Sequence, residues 1–301
     1  MSHAPLPKLL ITGASGFLGW NLCQVAAQDW DVYGVYRSHS HPIPNTTLLK
    51  ADLTNPQEFQ TLFQTIRPDA VVNLAAESKP NRCQDNPDKS HQINVIVARD
   101  IAKLCADTDI PYVFTSTDLV FDGLKPPYRE NDALSPVNLY GEQKALAESE
   151  ILKCYPKATI CRMPLMFGAA PPTASSFLQP FIQTLRDGRE LKLFTDEVRT
   201  PVSGITAAKG LLLALHNVQG HIHLGGKERI SRFEFGRLMV EIFNLPAAGL
   251  KPARQQDVKM SASRPPDVSL DSTKAFSMGY TPGSVREELK ALQTLWSTTT
   301  K

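Results

Sequence analysis

Near its N-terminus the chain contains Lys8-Leu-Leu-Ile-Thr-Gly-Ala-Ser-Gly-Phe-Leu-Gly19. The first five residues form a short apolar run that is typical of a buried strand. Gly13, Gly16 and Gly19 follow it in a G-x-x-G-x-x-G pattern, and the apolar residues after them have helical spacing. Glycines permit a tight turn in which backbone N–H groups approach a pyrophosphate, and the helix N-terminus adds a partial positive charge. The pattern therefore predicts a dinucleotide-binding loop; a purely structural strand–helix turn is the alternative.

Strands and helices alternate through the first half of the chain. The strands are predicted at Lys8–Thr12, Asp31–Arg37, Thr47–Lys50, Ala70–Asn73, Pro111–Thr115 and Ala158–Met163. The helices between them are predicted at Pro56–Ile66, Ile93–Ala106 and Leu139–Cys154. Such alternation implies right-handed β-α-β crossovers, so the expected fold class is α/β with a doubly wound parallel sheet of Rossmann type.

After about Met163, prolines and Gly/Ala turns separate shorter elements. This change of rhythm predicts a second, smaller α/β substrate domain. The dinucleotide-binding domain is expected to cover residues 1–163, with 201–224 returning to it, and the substrate domain most of 164–301.

Composition excludes several function classes. The 301 residues are 42% hydrophobic and 21% charged, which favours a packed core over disorder. The net charge is +2 without a basic block, and no apolar run approaches the ~18 residues of a membrane span, so neither nucleic acid nor membrane is an expected partner. The N-terminus lacks a signal-peptide pattern, and the five cysteines contain no C-x-x-C. These features predict a cytoplasmic protein with reduced thiols.

The end of the second strand bears on cofactor choice. Proteins that prefer NAD usually place an acid there for the ribose 2′-hydroxyl. Here Arg37 follows Tyr36, and residues 34–41 contain no acid. A guanidinium suits a 2′-phosphate, so NADP is favoured and NAD is the alternative. Arg37 could instead be a solvated strand-end residue.

Asp52 and Leu53 follow the third strand and are candidates to contact the adenine amino group. Asp52 could equally be a helix N-cap, because Thr54 and Asn55 follow closely.

Several motifs occur together in a characteristic order. They are Thr12-Gly-Ala-Ser-Gly-Phe-Leu-Gly19, Asn73-Leu-Ala-Ala76, Ser116-Thr-Asp-Leu-Val-Phe-Asp-Gly123, Tyr140-Gly-Glu-Gln-Lys144, Arg162-Met-Pro-Leu-Met-Phe-Gly168, Arg199-Thr-Pro201 and Arg264-Pro-Pro-Asp267. With them the chain resembles the extended short-chain dehydrogenase/reductase family, in its dTDP-4-dehydrorhamnose reductase branch. Within that branch, Ala75–Pro80, Pro126–Glu130 and Asn138–Tyr140 are similar to the regulatory β subunits of methionine adenosyltransferase, which act chiefly as binding partners.

Tyr140 and Lys144 are four residues apart, so on a helix both side chains share one face. An ordinary Tyr has a pKa near ~10, and a nearby Lys⁺ together with the positively charged nicotinamide is expected to stabilise the phenolate and lower that pKa. Tyr140 could then protonate a carbonyl oxygen as hydride arrives from NADPH. The resemblance further implies that Lys144 binds the nicotinamide ribose and that Thr117 orients the substrate oxygen. The alternatives are an amphipathic helix with an exposed Lys144, and a Thr117 that only satisfies strand-end backbone groups.

The resemblance also assigns binding residues. Those implied for the cofactor are Gly13, Ser15, Gly16, Phe17, Leu18, Gly19, Arg37, Asp52, Leu53, Ala75, Ala76, Tyr140, Lys144 and Met166. Those implied for the substrate are Glu77, Ser116, Asp118, Arg199 and Arg264. The two guanidinium forks suit a diphosphate, with a surface ion pair as the alternative for each.

Three further residues or pairs have open roles. Lys79 lies beside the predicted cofactor crevice. Asn94 opens the predicted helix at 93–106, where it could stabilise active-site backbone or cap the helix. His221 and His223 alternate on a strand and have no further ligands in sequence, which favours a structural role over a metal site.

Together these features predict an NADP-dependent reductase of a 4-keto nucleotide sugar, with dTDP-4-dehydro-6-deoxy-L-mannose as the expected substrate. The alternatives are a non-catalytic NADP-binding regulatory subunit of methionine adenosyltransferase and a nucleotide-sugar epimerase. A homodimer is compatible with each of these three functions.

Overall fold

The computed structural model describes residues 5–174 and 176–299. The strands are β1 Lys8–Thr12, β2 Asp31–Tyr36, β3 Thr46–Lys50, β4 Ala70–Asn73, β5 Tyr112–Thr117, β6 Thr159–Met163, β7 Met166–Phe167, β8 Leu191–Phe194, β9 Val198–Arg199, β10 Val202–Ser203, β11 Gly220–His223, β12 Ile230–Ser231 and β13 Leu250–Ala253. The helices are α1 Phe17–Ala26, α2 Pro56–Ile66, α3 Pro80–Asp85, α4 Pro87–His91, α5 Ala98–Thr108, α6 Leu139–Cys154, α7 Leu178–Arg186, α8 Gly204–Asn217, α9 Arg232–Ile242, α10 Thr273–Ser277 and α11 Val285–Thr299.

The central sheet has seven parallel strands in the order β11-β6-β5-β4-β1-β2-β3. The chain runs outward from β1 to β3, then crosses to β4 on the other side of β1. The glycine loop, which follows β1, therefore lies at the topological switch point, where such sheets bind ligands. The predicted doubly wound α/β fold is confirmed. Strand β11 pairs with β6 in this sheet, while the division into two domains stays a prediction.

Alternation along the strands divides the apolar side chains between the two faces of the sheet. Leu9 and Ile11 of β1 are fully buried on the face that α1 and α8 cover. Leu10 is fully buried on the opposite face, against residues of α2, α5 and α6. Helices thus cover both faces, which is why the three central residues of β1, Leu9, Leu10 and Ile11, are all apolar.

A separate apolar core lies in the C-terminal part of the chain. Phe167, Phe235 and Leu289 are buried in it, from β7, α9 and α11. Beside this core, β12 pairs with β9 in antiparallel register, with Ile230 opposite Arg199. This pairing brings the start of α9 next to Arg199, although the two lie more than thirty residues apart in sequence.

The segment that follows β4 differs from its prediction. A single helix was expected over 93–106, but helical structure begins at Pro87, passes through a π-helical segment at Gln92–Val97 and ends at Thr108. Strand β5 continues two residues beyond its predicted end, because Ser116 and Thr117 pair with Arg162 and Met163 of β6. Across residues 5–174 and 176–299, none of the helices combines the length and apolarity needed to cross a membrane.

Candidate active site

A cleft of about 880 Å³ opens along the carboxyl ends of the central strands, within the upper range of ligand pockets. Every residue predicted for the site lines this cleft: Gly13, Ser15, Gly16, Phe17, Leu18, Gly19, Arg37, Asp52, Leu53, Ala75, Ala76, Glu77, Ser116, Thr117, Asp118, Tyr140, Lys144, Met166, Arg199 and Arg264. Lys79 also lines it.

The glycine loop is wound so tightly that two of its glycines cannot carry a side chain. Gly13 has φ +69°, which favours glycine. A Cβ on Gly19 would lie 2.2 Å from the carbonyl oxygen of Gly13. Helix α1 begins directly after Gly16, whose position provides no side-chain cap. The first N–H groups of α1 are therefore without a capping side chain, an arrangement that fits the pyrophosphate of a dinucleotide.

Thr12 connects this loop to the loop after β4. Its hydroxyl donates to Asn73 Oδ1 at 2.6 Å and accepts hydrogen bonds from the backbone N–H groups of Leu74 and Ala75. The two loops that the resemblance assigns to the cofactor are thus fixed to each other by one side chain at the end of β1.

At the ends of β2 and β3, Arg37 is exposed on the cleft and its charge acts on Asp52. The Asp52 carboxylate accepts hydrogen bonds from the side chain and backbone of Thr54, which lower its pKa. The alternative that Asp52 caps the next helix is wrong. Asn55 is the N-cap of α2, and its side chain accepts from Gln57 N–H.

The Tyr140–Lys144 pair lies on α6 and is buried. Lys144 is 2% exposed, so the alternative of an exposed lysine on an amphipathic helix is wrong. Its Nζ donates to the carbonyl oxygen of Thr115 at 2.7 Å and lies 4.3 Å from the ring centre of Phe114. The Thr117 hydroxyl donates to Asp118 Oδ1 at 3.2 Å and accepts from Leu119 N–H, and it lies near enough to Tyr140 to act on the pKa of that residue.

Burial dominates the ionisation of both groups. It raises the pKa of Tyr140, with only a partial opposing effect from the Thr117 side chain. Burial also lowers the pKa of Lys144 to about 7, against the opposing charge of Glu148. In the protein alone, desolvation is the largest effect on Tyr140 and raises its pKa, so the expected lowering by Lys144 and a charged nicotinamide stays a prediction for the loaded site. A neutral Tyr140 holds its proton at neutral pH, as an acid must before it donates.

Asn94 lies inside the π-helical segment rather than at a helix start, so the capping alternative is wrong. Its side chain accepts from Glu77 N–H at 2.9 Å and donates to the Gln143 side chain at 2.9 Å. Asn94 thereby holds the loop that carries Glu77 against α6, the helix of Tyr140 and Lys144.

A cluster of buried charges lies at the C-terminal side of the cleft. Arg199 is 4% exposed, and its guanidinium lies 3.4 Å from Asp118 and 3.4 Å from Glu197. The alternative of a surface ion pair is therefore wrong for Arg199. Burial raises the pKa of Asp118 to about 6, although Arg199 opposes this.

Sequence reasoning missed two members of the cluster, Glu197 and Arg232, which also line the cleft. The Ser231–Glu234 spacing of a capping box indicates that a helix starts at Arg232. This local signal does not show that the start of the helix lies at the cleft.

His221 and His223 contact a buried ion pair behind the cleft. Arg162 and Glu148 are each 2% exposed and lie 2.8 Å apart. His221 Nε2 lies 3.2 Å from Glu148, and His223 Nε2 lies 3.3 Å from Arg162. Within residues 5–174 and 176–299, no group of three His, Cys, Asp or Glu side chains is arranged to hold a metal ion.

A family model described as the RmlD substrate binding domain matches residues 7–297. The chain belongs to this family. The β subunit of methionine adenosyltransferase 2 from Danio rerio is 28% identical to it, over 98% of this chain and 92% of that protein. The probable low-salt glycan biosynthesis reductase Agl14 of Haloferax volcanii is 30% identical, over 95% of this chain and 97% of that protein.

Among solved structures, a dTDP-4-dehydrorhamnose reductase from Bacillus anthracis in complex with NADP matches with a TM-score of 0.86 at 23% identity, over 96% of this chain and 99% of that one. At this identity the match shows the fold. The predicted family is thus confirmed for this RmlD family member, and so is the similarity to methionine adenosyltransferase β subunits.

Proposed function

We propose that this RmlD family member is an NADP-dependent reductase of a 4-keto nucleotide sugar such as dTDP-4-dehydro-6-deoxy-L-mannose. The observation that carries the proposal is the buried Tyr140–Lys144 pair, which lines the same cleft as Thr117 and the glycine loop. Agl14, a probable reductase, is related over nearly its whole length, which supports an oxidoreductase.

In this proposal each side chain has one task. Tyr140 donates its phenolic proton to the oxygen of the substrate carbonyl, and Thr117 orients that oxygen. When bound, NADPH supplies the hydride. Lys144 holds the ribose next to the nicotinamide, and its charge stabilises the phenolate that Tyr140 becomes. Burial raises the pKa of Tyr140, so the phenol holds the proton that it donates as hydride reaches the carbonyl carbon.

The cofactor assignment is part of the proposal. The tight glycine loop and the uncapped start of α1 fit a dinucleotide pyrophosphate. Exposed Arg37, beside Asp52, supplies a guanidinium for a 2′-phosphate, which favours NADP over NAD.

The test is NADPH oxidation by the purified protein against a panel of 4-keto nucleotide sugars with dTDP, UDP and GDP as nucleotides. Saturable turnover of at least one of them supports the reductase. Absence of turnover across the panel, together with tight NADPH binding, rejects it. Interconversion of a nucleotide sugar without net NADPH consumption would identify an epimerase instead.

The similarity to methionine adenosyltransferase β subunits supports a second candidate, a regulatory NADP-binding subunit. That candidate predicts a complex with a methionine adenosyltransferase catalytic subunit from the same cell and a change in its kinetics. No complex at micromolar concentration of both proteins would exclude it.

A further inference from the structure

The side chain of Arg232 is held in the cleft by contacts that leave part of its guanidinium unpaired. Its Cζ lies 4.4 Å from the ring centre of Phe177, and its Nε lies 3.5 Å from Glu197. Its Nη1 is fully buried and has no hydrogen-bond partner. A buried guanidinium N–H without an acceptor is costly, so the position indicates an acceptor that arrives with a ligand.

Arg264 has the same feature. Its Nη2 donates to Asn81 Oδ1 at 3.1 Å, while its Nη1 is buried and unpaired. Arg232 and Arg264 also act on each other electrostatically, which places both guanidiniums in one region of the cleft.

Arg199 differs from these two. Its guanidinium nitrogens face Asp118 and Glu197 and also donate to the carbonyl oxygens of Val198 and Pro265. Its charge is therefore neutralised within the protein. The cluster contains the guanidiniums of Arg199, Arg232 and Arg264 and the carboxylates of Asp118 and Glu197, so it carries one excess positive charge. The guanidinium N–H groups without a hydrogen-bond partner belong to Arg232 and Arg264.

The placement of Arg232 is also unfavourable for its own helix. It is the first residue of α9, where a positive charge adds to the positive end of the helix dipole. An anion bound at this point would offset that penalty.

We propose that Arg232, together with Arg264, binds the diphosphate of a nucleoside diphosphate substrate, and that Arg199 holds the carboxylates of Asp118 and Glu197 in place. This inference rests on the proposed function and adds a residue that determines which substrates enter: Arg232 selects for the diphosphate and against uncharged sugars.

The experiment measures the affinity of dTDP and of UDP for the NADPH-saturated protein by calorimetry, at fixed ionic strength. Saturation with NADPH prevents the nucleotides from entering the cofactor's own phosphate site. The variants are Arg232→Gln and Arg232→Lys, with Arg237→Gln as the matched control, because Arg237 is an exposed arginine of the same helix. NADPH affinity is measured separately for each variant.

We expect Arg232→Gln to weaken nucleotide binding by about 10- to 100-fold, since a charge-assisted hydrogen bond is lost. Arg232→Lys should weaken it less, because a point charge remains without the planar fork. Arg237→Gln should bind dTDP and UDP with the affinity of the wild type. The NADPH affinity of all variants should be unchanged. If thermal melting shows that Arg232→Gln does not fold, the nucleotide affinity of Arg232→Lys relative to the wild type decides the test.

Equal nucleotide affinity in the wild type and the folded variants would overturn the inference, as would failure of the wild type to bind either nucleotide. A loss of NADPH affinity in place of nucleotide affinity would also overturn it, because Arg232 would then belong to the cofactor site. If nucleotide binding depends on Arg232 but no 4-keto sugar is reduced, the reductase proposal fails and the diphosphate subsite stands.

Discussion

Lys144 Nζ donates a hydrogen bond to the backbone carbonyl oxygen of Thr115 at 2.7 Å, which fixes the amine of an α6 side chain to strand β5. The amine is buried, and burial lowers its pKa to about 7. The unfolded chain, with an ordinary lysine pKa near ~10.4, binds more protons than the folded protein between these two values. The free energy of unfolding therefore rises with pH in this window.

Lys144→Met should remove that contribution. Between about pH 7 and 10, the free energy of unfolding of the wild type should rise more steeply with pH than that of Lys144→Met, by up to ~1.4 kcal/mol per pH unit for one proton. Urea unfolding of both proteins at several pH values measures the difference. Parallel pH dependence in the two proteins would show that Lys144 is charged in the folded state throughout the range.

Tyr140→Phe removes one oxygen and keeps the buried ring. On a verified substrate, turnover should fall about 10²–10⁴-fold, the usual contribution of general acid catalysis, with NADPH affinity nearly unchanged. Steady-state rates and a fluorescence titration with NADPH check both parts. Thr117→Val is the companion variant and should lower turnover without affecting cofactor affinity. Wild-type turnover in Tyr140→Phe would mean that another group is the acid.

Arg37→Ala should weaken NADPH binding by about 1.5–3 kcal/mol, because a charge-assisted hydrogen bond to the 2′-phosphate is lost. NADH lacks this phosphate, so its affinity is the internal control and should not change. Titration of both cofactors into both proteins provides the comparison. An equal loss for the two cofactors would reject a role of Arg37 in discrimination.

Gly19→Ala should abolish cofactor binding. The added Cβ would lie 2.2 Å from the carbonyl oxygen of Gly13, so the loop backbone must move. Gly188→Ala is the control, because Gly188 has a positive φ but open space around it. The control should lose about 1–2 kcal/mol of stability and retain NADPH affinity. If both variants bind NADPH like the wild type, the loop does not hold the cofactor.

Glu148→Gln should destabilise the protein by about 3–5 kcal/mol, because it leaves the buried Arg162 guanidinium without its carboxylate. Glu241→Gln breaks an exposed ion pair with Arg286 and should have little effect, since solvent screens that pair. Chemical denaturation of both variants measures the contrast. Similar stability of the two variants would show that burial does not strengthen the Arg162–Glu148 pair.

Features that depend on short-range spacing were determined by the sequence alone. The G-x-x-G-x-x-G pattern after an apolar strand specified the loop, since the positive φ of Gly13 favours glycine and a Cβ on Gly19 would clash with the Gly13 carbonyl oxygen. The four-residue spacing of Tyr140 and Lys144 placed both on one helix face, because helix geometry is local. Alternating strands and helices were enough to predict the parallel sheet of the RmlD family member.

Features that depend on which distant elements meet were decided only by the tertiary structure. The burial that changes the pKa of Lys144 comes from packing α6 against β5, and no local pattern encodes it. Arg232 reaches the cleft because β12 pairs with β9, and Asn94 supports Glu77 because the π-helical segment turns it toward that loop. Desolvation and charge neutralisation are sums over neighbours in space, so the chemistry of these residues follows from the folded packing rather than from their positions along the chain.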